Sequence, residues 1–532
     1  MPFVHHPEEM KEEELEYVSG YGNELSSEAV PNTLPSRNNP LGVPHGLYAE
    51  QLSCSAFTSA RTDRFRFKRT WMYRIRPCVT HEPFRRSAEM GLVNEKLLGE
   101  FTRESERLGA CPNQMRWRPT SSSSSSSSPS SSSKLASVVD GSGSGSMEEK
   151  DWVESLTTVC GSGSAAEKRG YAVHVYAFGR NMHMKQDEAE GNGDGMTRSR
   201  CIADCDGEML IVPQNGSLRV TTECGVLRVD PGEIVILPRG LRFAIDKWKT
   251  TTQEASGEVA PSLHRGYVLE VFEGSFCLPD LGVIGANGLA SARDFLAPVA
   301  SYEDEESLTP DYEVVHKYCG SLWSARQTFS PFNVVAWHGT ALPFKYDLDQ
   351  FAAMNAVRFD HPDPSIFTVL TVPGHSSGPR PGESIADFVV FPPRWSVAED
   401  TFRPPYYHRN CMNEFMGLVR GVYEAKLDDG GFVPGGCSLH SCMTPHGPDV
   451  DCYEKSIAAE KRNQPEHLPR DTLAFMFEMS AMPLLTRWAM DGQCCLEVDK
   501  DYYKCWTNLK RRFVNPPFMS NFTAPPTLPS ES

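Results

Sequence analysis

The stretch Met209–Asp246, MLIVPQNGSLRVTTECGVLRVDPGEIVILPRGLRFAID, decides the fold class. Short runs of Val, Ile and Leu alternate with the turn signals Asn215-Gly216, Cys224-Gly225 and Pro231-Gly232. β-Branched side chains are stiff and fit a pleated surface, while Asn-Gly and Pro-Gly pairs bring the chain round on itself. Several short strands at this spacing predict a β-sandwich or jelly roll.

The rest of the chain fits a large, mainly β protein. Its 532 residues are too many for one ordinary domain. With 39% hydrophobic and 23% charged residues it has globular composition, and its 41 Gly and 40 Pro favour turns over long helices. A net charge of −17 argues against nucleic acid or an anionic membrane as partner. The acidic N-terminus lacks the apolar core of a secretory signal, and no run approaches the ~18 apolar residues of a membrane span. The 16 cysteines show no CxxC pair, which suits reduced thiols in a cytoplasmic protein. Serine broken only by Pro129 fills 121–133, and GSGSGS follows at 141–146. Residues of about 119–149 therefore read as a disordered insertion, because they cannot bury enough apolar surface to offset ordering. Smaller polar insertions are expected at 186–199 and 250–262, with a mobile tail after about 516.

Within the opening stretch, the spacing of Gly232, Pro238, Gly240, Phe243 and Asp246 resembles the second cupin motif. Phe243 stands where such motifs carry a metal-binding histidine, so this half is expected to hold no metal. In the C-terminal half, His408-Arg409-Asn410-Cys411-Met412-Asn413-Glu414 and the later Gly421 resemble the first motif, with Asn410 in place of its second histidine. Pro434-Gly435-Gly436-Cys437-Ser438-Leu439-His440 approximates the second motif with one residue too many. The expectation is two fused cupin-like jelly-roll or β-sandwich domains, 1–325 and 326–532, the second one metal-binding.

On a strand, the six-residue offset of Glu414 from His408 places both side chains on one face. Two imidazoles and one carboxylate cap one face of a non-haem iron ion and leave positions open for substrate and dioxygen. Spacing leaves the third ligand open between His440 and His446. An aromatic run, Pro404-Pro405-Tyr406-Tyr407, precedes the pair. His338 ends the apolar run Asn333–Gly339 and by itself reads as a hydrogen-bonded structural residue; His361 and His375 read as loop residues. Tyr423 and Lys426 fit either an edge strand or a phenol and an ammonium that receive a substrate carboxylate.

The segments YGNELSSEAVPNTLP, NPLGVPHGLYAEQLSCSAFT, SPFNVVAWHGT, FRPPYYHRNCMNEFMGLVRGVYEAK and SLHSCMTPHGPD resemble the homogentisate 1,2-dioxygenase family. The likeness runs from about Tyr17 to about Lys510. It implies Fe(II)-dependent, O₂-consuming ring cleavage of homogentisate to 4-maleylacetoacetate in phenylalanine and tyrosine catabolism. It further implies iron ligands at His408, Glu414 and His446 and an acid/base histidine at His338. Tyr423, His446 and Lys426 fall at substrate contacts, and His440 and Tyr406 behind the ligands. A cytoplasmic homotrimer or hexamer is implied as well. A gentisate-type cupin dioxygenase and a non-catalytic bicupin are the alternatives.

Overall fold

The computed structural model describes residues 15–37, 39–55, 67–120, 146–183, 199–248, 261–280, 282, 288–305, 312–354, 367–374, 383–396, 402, 405–423, 425, 432–458, 464–468, 471–493 and 495–514. The protein is mainly β, in stacked sheets. Most of the serine-rich insertion, most of both smaller insertions, the tail after 516, His361, His375 and Lys426 lie outside the described residues. At the ends of the serine-rich insertion the chain is built in: Pro119 closes the strand Met115–Pro119, and Ser146 caps a 3-10 turn over Met147–Glu149.

Three sheets form successive layers. The central, 11-stranded sheet includes Arg169–Phe178, Glu208–Asn215, Glu233–Leu237 and His264–Val271. Alternation along these strands sends their side chains into two different cores. Val173, Val175, Leu210, Val212, Ile234, Ile236, Tyr267 and Leu269 face one core. Tyr176, Phe178, Met209, Ile211, Val235, Leu237 and Val268 face the other. A sheet covered on both faces explains the near-continuous apolar runs of the Met209–Asp246 stretch.

On the second core lies a seven-stranded sheet that contains Leu218–Thr222, Gly225–Val229, Arg242–Lys247 and Tyr312–Tyr318. Here the hairpin signal at Cys224-Gly225 is realised, with Thr222 opposite Gly225. Gly225 has φ +131°, and a Cβ there would lie 2.1 Å from the Val299 carbonyl oxygen, so only glycine fits this turn. Phe243 is buried and meets Trp152 edge-on at 5.7 Å, a packing residue at the position where the motif carries a histidine.

The first core is closed by another seven-stranded sheet, with order Thr368–Pro373, Ser384–Phe391, Leu473–Met479, Asn413–Arg420, Cys437–His440, Met115–Pro119 and Leu496–Val498. Phe415, Phe475 and Phe477 point from it into the shared core, where Tyr267 meets Phe475 at 5.0 Å. Truncating such a ring to alanine costs about 3–5 kcal/mol. The chain crosses between layers in both directions. Met115–Pro119 serves the C-terminal sheet, while Leu484–Thr486 pairs with Thr157–Ser164 of the central one. Just past residue 325, Val334–Gly339 pairs with Arg69–Arg74, and Phe344–Asp347 with Glu233–Leu237.

Candidate metal centre

The C-terminal sheet has an outer face, opposite the shared core, and Glu414 lies on it. Along Asn413–Arg420 the residues Glu414, Met416 and Leu418 alternate with Phe415, Gly417 and Val419, and the latter side faces the shared core. Pairing carries a polar row across this face: Thr371 opposite Asp387, Asp387 opposite Glu478, Glu478 opposite Glu414, and Glu414 opposite His440.

His408 and His446 come from loops that flank these strands. Each donates its backbone N–H to the other's carbonyl, at 2.9 and 3.0 Å, in an isolated antiparallel bridge. This bridge brings His408 to Glu414. The expected strand periodicity does not, because His408 precedes the strand that begins at Asn413. One ligating atom from each of His408, Glu414 and His446 falls within 4.8 Å of the others.

The protons are arranged for a cation. His408 Nδ1 lies 2.7 Å from the Tyr406 carbonyl oxygen and His446 Nδ1 lies 2.8 Å from that of Thr444. A carbonyl only accepts, so both Nδ1 atoms carry hydrogen and both Nε2 atoms turn toward Glu414, where each offers a lone pair to a cation once its own proton is displaced. His446 Nε2 is 2.9 Å from Glu414 Oε2, and His408 Nε2 is 3.5 Å from Oε1. Asn410 donates to Oε1 at 2.6 Å while its own oxygen accepts from the Met412 N–H. The residue that departs from the cupin ligand pattern thus orients the carboxylate.

Burial alone would raise the Glu414 carboxyl pKa, but contacts from three imidazoles outweigh it and hold the group well below its ordinary range. The hydrogen bond with Glu414 raises His408 against burial. Across the strand, burial and the neighbouring Glu414 and Asp387 carboxylates push Glu478 up to about 7. Two imidazoles and one carboxylate suit a borderline transition-metal ion and disfavour one that wants oxygen ligands alone.

His440 stacks on His446 at 4.2 Å, and its Nδ1 lies 3.8 Å from Glu414 Oε2, farther than His446. Tyr406 meets the cluster through its carbonyl oxygen, its ring being exposed. Tyr423 is buried beside Phe391 and Phe432, each at 5.9 Å, in the apolar cluster that continues the Glu414 face through Met416 and Leu418. His338 belongs to another sheet. Its Nε2 lies 3.1 Å from the Tyr73 hydroxyl and its Nδ1 3.1 Å from Glu24 Oε1. Tyr73, Glu24, Glu478 and Tyr502 carry no mark in the sequence that singles them out. Glu24 and Tyr73 are 314 and 265 residues from His338 in the chain, so no local spacing signals them.

Layered β-sheets that bring two imidazoles and a carboxylate together define a β-sheet protein with a group able to hold a metal ion. The chain belongs to the homogentisate 1,2-dioxygenase family. The family's N-terminal model matches residues 16–348 and its C-terminal model residues 349–513. Homogentisate 1,2-dioxygenase of Oryza sativa is 50% identical over 503 residues, 94% of this chain and 93% of that one. The Homo sapiens enzyme of the same name is 47% identical over 504 residues, covering 94% and 97% of the two chains. That of Dictyostelium discoideum is 45% identical over 500 residues, covering 93% and 98%. The protein is therefore an enzyme of the ring-cleaving dioxygenase type. Among the described residues, no helix is long and apolar enough to cross a membrane.

Proposed function

We propose that the enzyme opens the ring of homogentisate with O₂ at an Fe(II) ion held by His408, Glu414 and His446. The observation that carries this reading is the convergence of two Nε2 atoms on Glu414, each imidazole fixed through its Nδ1–H. Such a triad covers one side of an ion and leaves the opposite side open. When bound, iron supplies the means to bring O₂ and an electron-rich phenolate together despite the spin barrier.

The chain's own residues bind, orient and move the proton. Asn410 keeps the Glu414 carboxylate turned toward the histidines. His338, whose Nδ1–H is directed at Glu24, offers Nε2 as the basic atom and takes the phenolic proton. The Tyr423 hydroxyl, with Lys426 as a further candidate, receives the acetate side chain of the substrate. The aromatic C–C bond then breaks and both atoms of O₂ enter 4-maleylacetoacetate. The enzyme works in the cytoplasm as a homotrimer or a pair of trimers, the assembly the family resemblance implies.

Oxygen uptake by anaerobically purified protein tests the reading. Uptake with homogentisate that requires added Fe(II) and yields the ring-opened product is expected. Equal or faster uptake with gentisate, or none with either, overturns it.

A further inference from the structure

Behind the triad sits a short 3-10 turn, Tyr502–Trp506, close to the end of the described chain. We propose that Tyr502 is a positioning residue that sets His440 and, through it, the Glu414 carboxylate for metal binding. The proposal rests on the reading of His408, Glu414 and His446 as the metal ligands.

His440 is 3% exposed, and its two ring nitrogens face different groups. Nε2 lies 2.9 Å from the Tyr502 hydroxyl, and Nδ1 faces Glu414 Oε2 at 3.8 Å. A neutral imidazole has one donor and one acceptor, whereas a carboxylate only accepts. The arrangement that avoids opposed lone pairs puts the hydrogen on Nδ1, toward Glu414, and leaves Nε2 to accept from the Tyr502 O–H. Burial pushes the Tyr502 phenol pKa far up, so the hydroxyl keeps its proton. Tyr502 thus selects the tautomer in which His440 attracts the ligand carboxylate. The other tautomer would turn a lone pair on it.

Tyr502 is held tightly enough to do this. The Arg116 guanidinium lies 4.3 Å over its ring, and Arg116 Nε donates to Asp499 at 2.9 Å. Arg116 pairs with Ser438 on the strand that carries His440. On the other side the Trp506 ring is 5.0 Å away, and its indole N–H donates to the Pro448 carbonyl at 3.1 Å, two residues beyond His446. The turn therefore spans from His440 to the loop of the third ligand.

The test compares the wild type, Tyr502→Phe, His440→Asn and the double variant, each as the full chain. Co(II) alone is the probe, with affinity from chelator competition and the visible absorption spectrum as readouts. Tyr502→Phe keeps the ring and the Arg116 stack. It is expected to weaken Co(II) binding about tenfold and to lower kcat with KM unchanged. The amide introduced by His440→Asn presents N–H toward Glu414 and has no tautomers, so adding Tyr502→Phe to that variant should cost nothing further. Wild-type affinity in Tyr502→Phe, or an equal penalty in both backgrounds, overturns the inference alone. A wild type that binds no Co(II) overturns the metal reading and the inference together.

Discussion

The Asp204–Asp206–Glu270 cluster of the N-terminal half and the His408–Glu414–His446 cluster of the C-terminal half each bring three ligating side chains together, with ligating atoms within 4.8 Å of one another. They differ in who supplies the positive charge. In the first, Lys317 Nζ lies 2.8 Å from Asp206, 2.5 Å from Glu270 and 3.8 Å from Asp204, and all four side chains are buried. Burial would lower the lysine pKa, but the three carboxylates raise it far above its ordinary value. One ammonium cannot balance three carboxylates. Burial, and then the charge of Glu270, accordingly push Asp204 well above its ordinary pKa. His174 joins the cluster through Nε2, 2.9 Å from Glu270 Oε2, with its pKa held to about 3 by burial and by Lys317. The second cluster has no lysine among its described partners, and its two imidazoles aim Nε2 atoms inward. A resident ammonium fills the first cluster; the second, with paired imidazoles in its place, is a group that could hold an ion.

The sharpest break of this comparison is Glu414→Gln. The amide cannot supply the anionic ligand, so bound iron and oxygen uptake are both expected to fall to background, read by metal analysis on the folded protein. Retained stoichiometric iron would remove Glu414 from the ligand set. A smaller effect is expected at His338, where a carboxylate again faces a histidine. His338→Ala should lower turnover about 10²- to 10⁴-fold with iron content kept, the usual worth of a general base. Loss of iron in that variant would show that His338 supports the metal centre instead of moving a proton.

Lys317→Met tests the other cluster. Removing the ammonium leaves buried carboxylates without their cation, which costs about 3–5 kcal/mol. The denaturation midpoint should fall while iron per folded chain is unchanged. If the metal site emptied as well, the two clusters would not be independent. Both have contacts toward the central sheet, Glu270 on the strand His264–Val271 and Phe415 through Tyr267. A modest loss of cooperativity is therefore compatible with independence, but a loss of metal is not.

The two clusters also differ in how far they were legible. The stretch from His408 to Glu414 was readable because histidine is scarce and the ligand types lie close in sequence. Strand alternation does not set its geometry: a backbone bridge to His446 brings His408 to Glu414, ahead of the strand that begins at Asn413. The Lys317 cluster was invisible, because two of its acids, Asp206 and Glu270, are 111 and 47 residues from the lysine and only sheet pairing brings the cluster together. Fold class followed from turn signals and short apolar runs. What those could not carry was the sharing of one central sheet by two cores. That depends on which faces meet, and a doubly covered strand has the same apolar run whichever layer lies above it. Tyr502 escaped for a similar reason: it lies 62 residues beyond His440 in a segment without a repeating pattern.

The smallest expected effect is the dependence of metal affinity on pH, and its sign separates the clusters. In the metal-free chain the pKa of His408 is raised, first by its hydrogen bond with Glu414. Its contribution to stability is thus fully present below its unfolded value of about 6.5 and is lost as pH rises through the raised value. Glu414 runs the other way: its pKa is depressed, so its contribution is present above the ordinary 4.5 and is lost as pH falls through the lowered value. A metal ion needs the neutral imidazole and must displace that proton. Affinity should therefore weaken as pH falls through the raised His408 value, by about tenfold per pH unit for each proton released. Chelator competition with Co(II) across that range measures the slope. Lys317 keeps its proton throughout, so the stability lost in Lys317→Met should show no matching step there. A flat affinity profile would mean that His408 is already neutral in the metal-free site, and its pairing with Glu414 would then not be the placeholder for the ion.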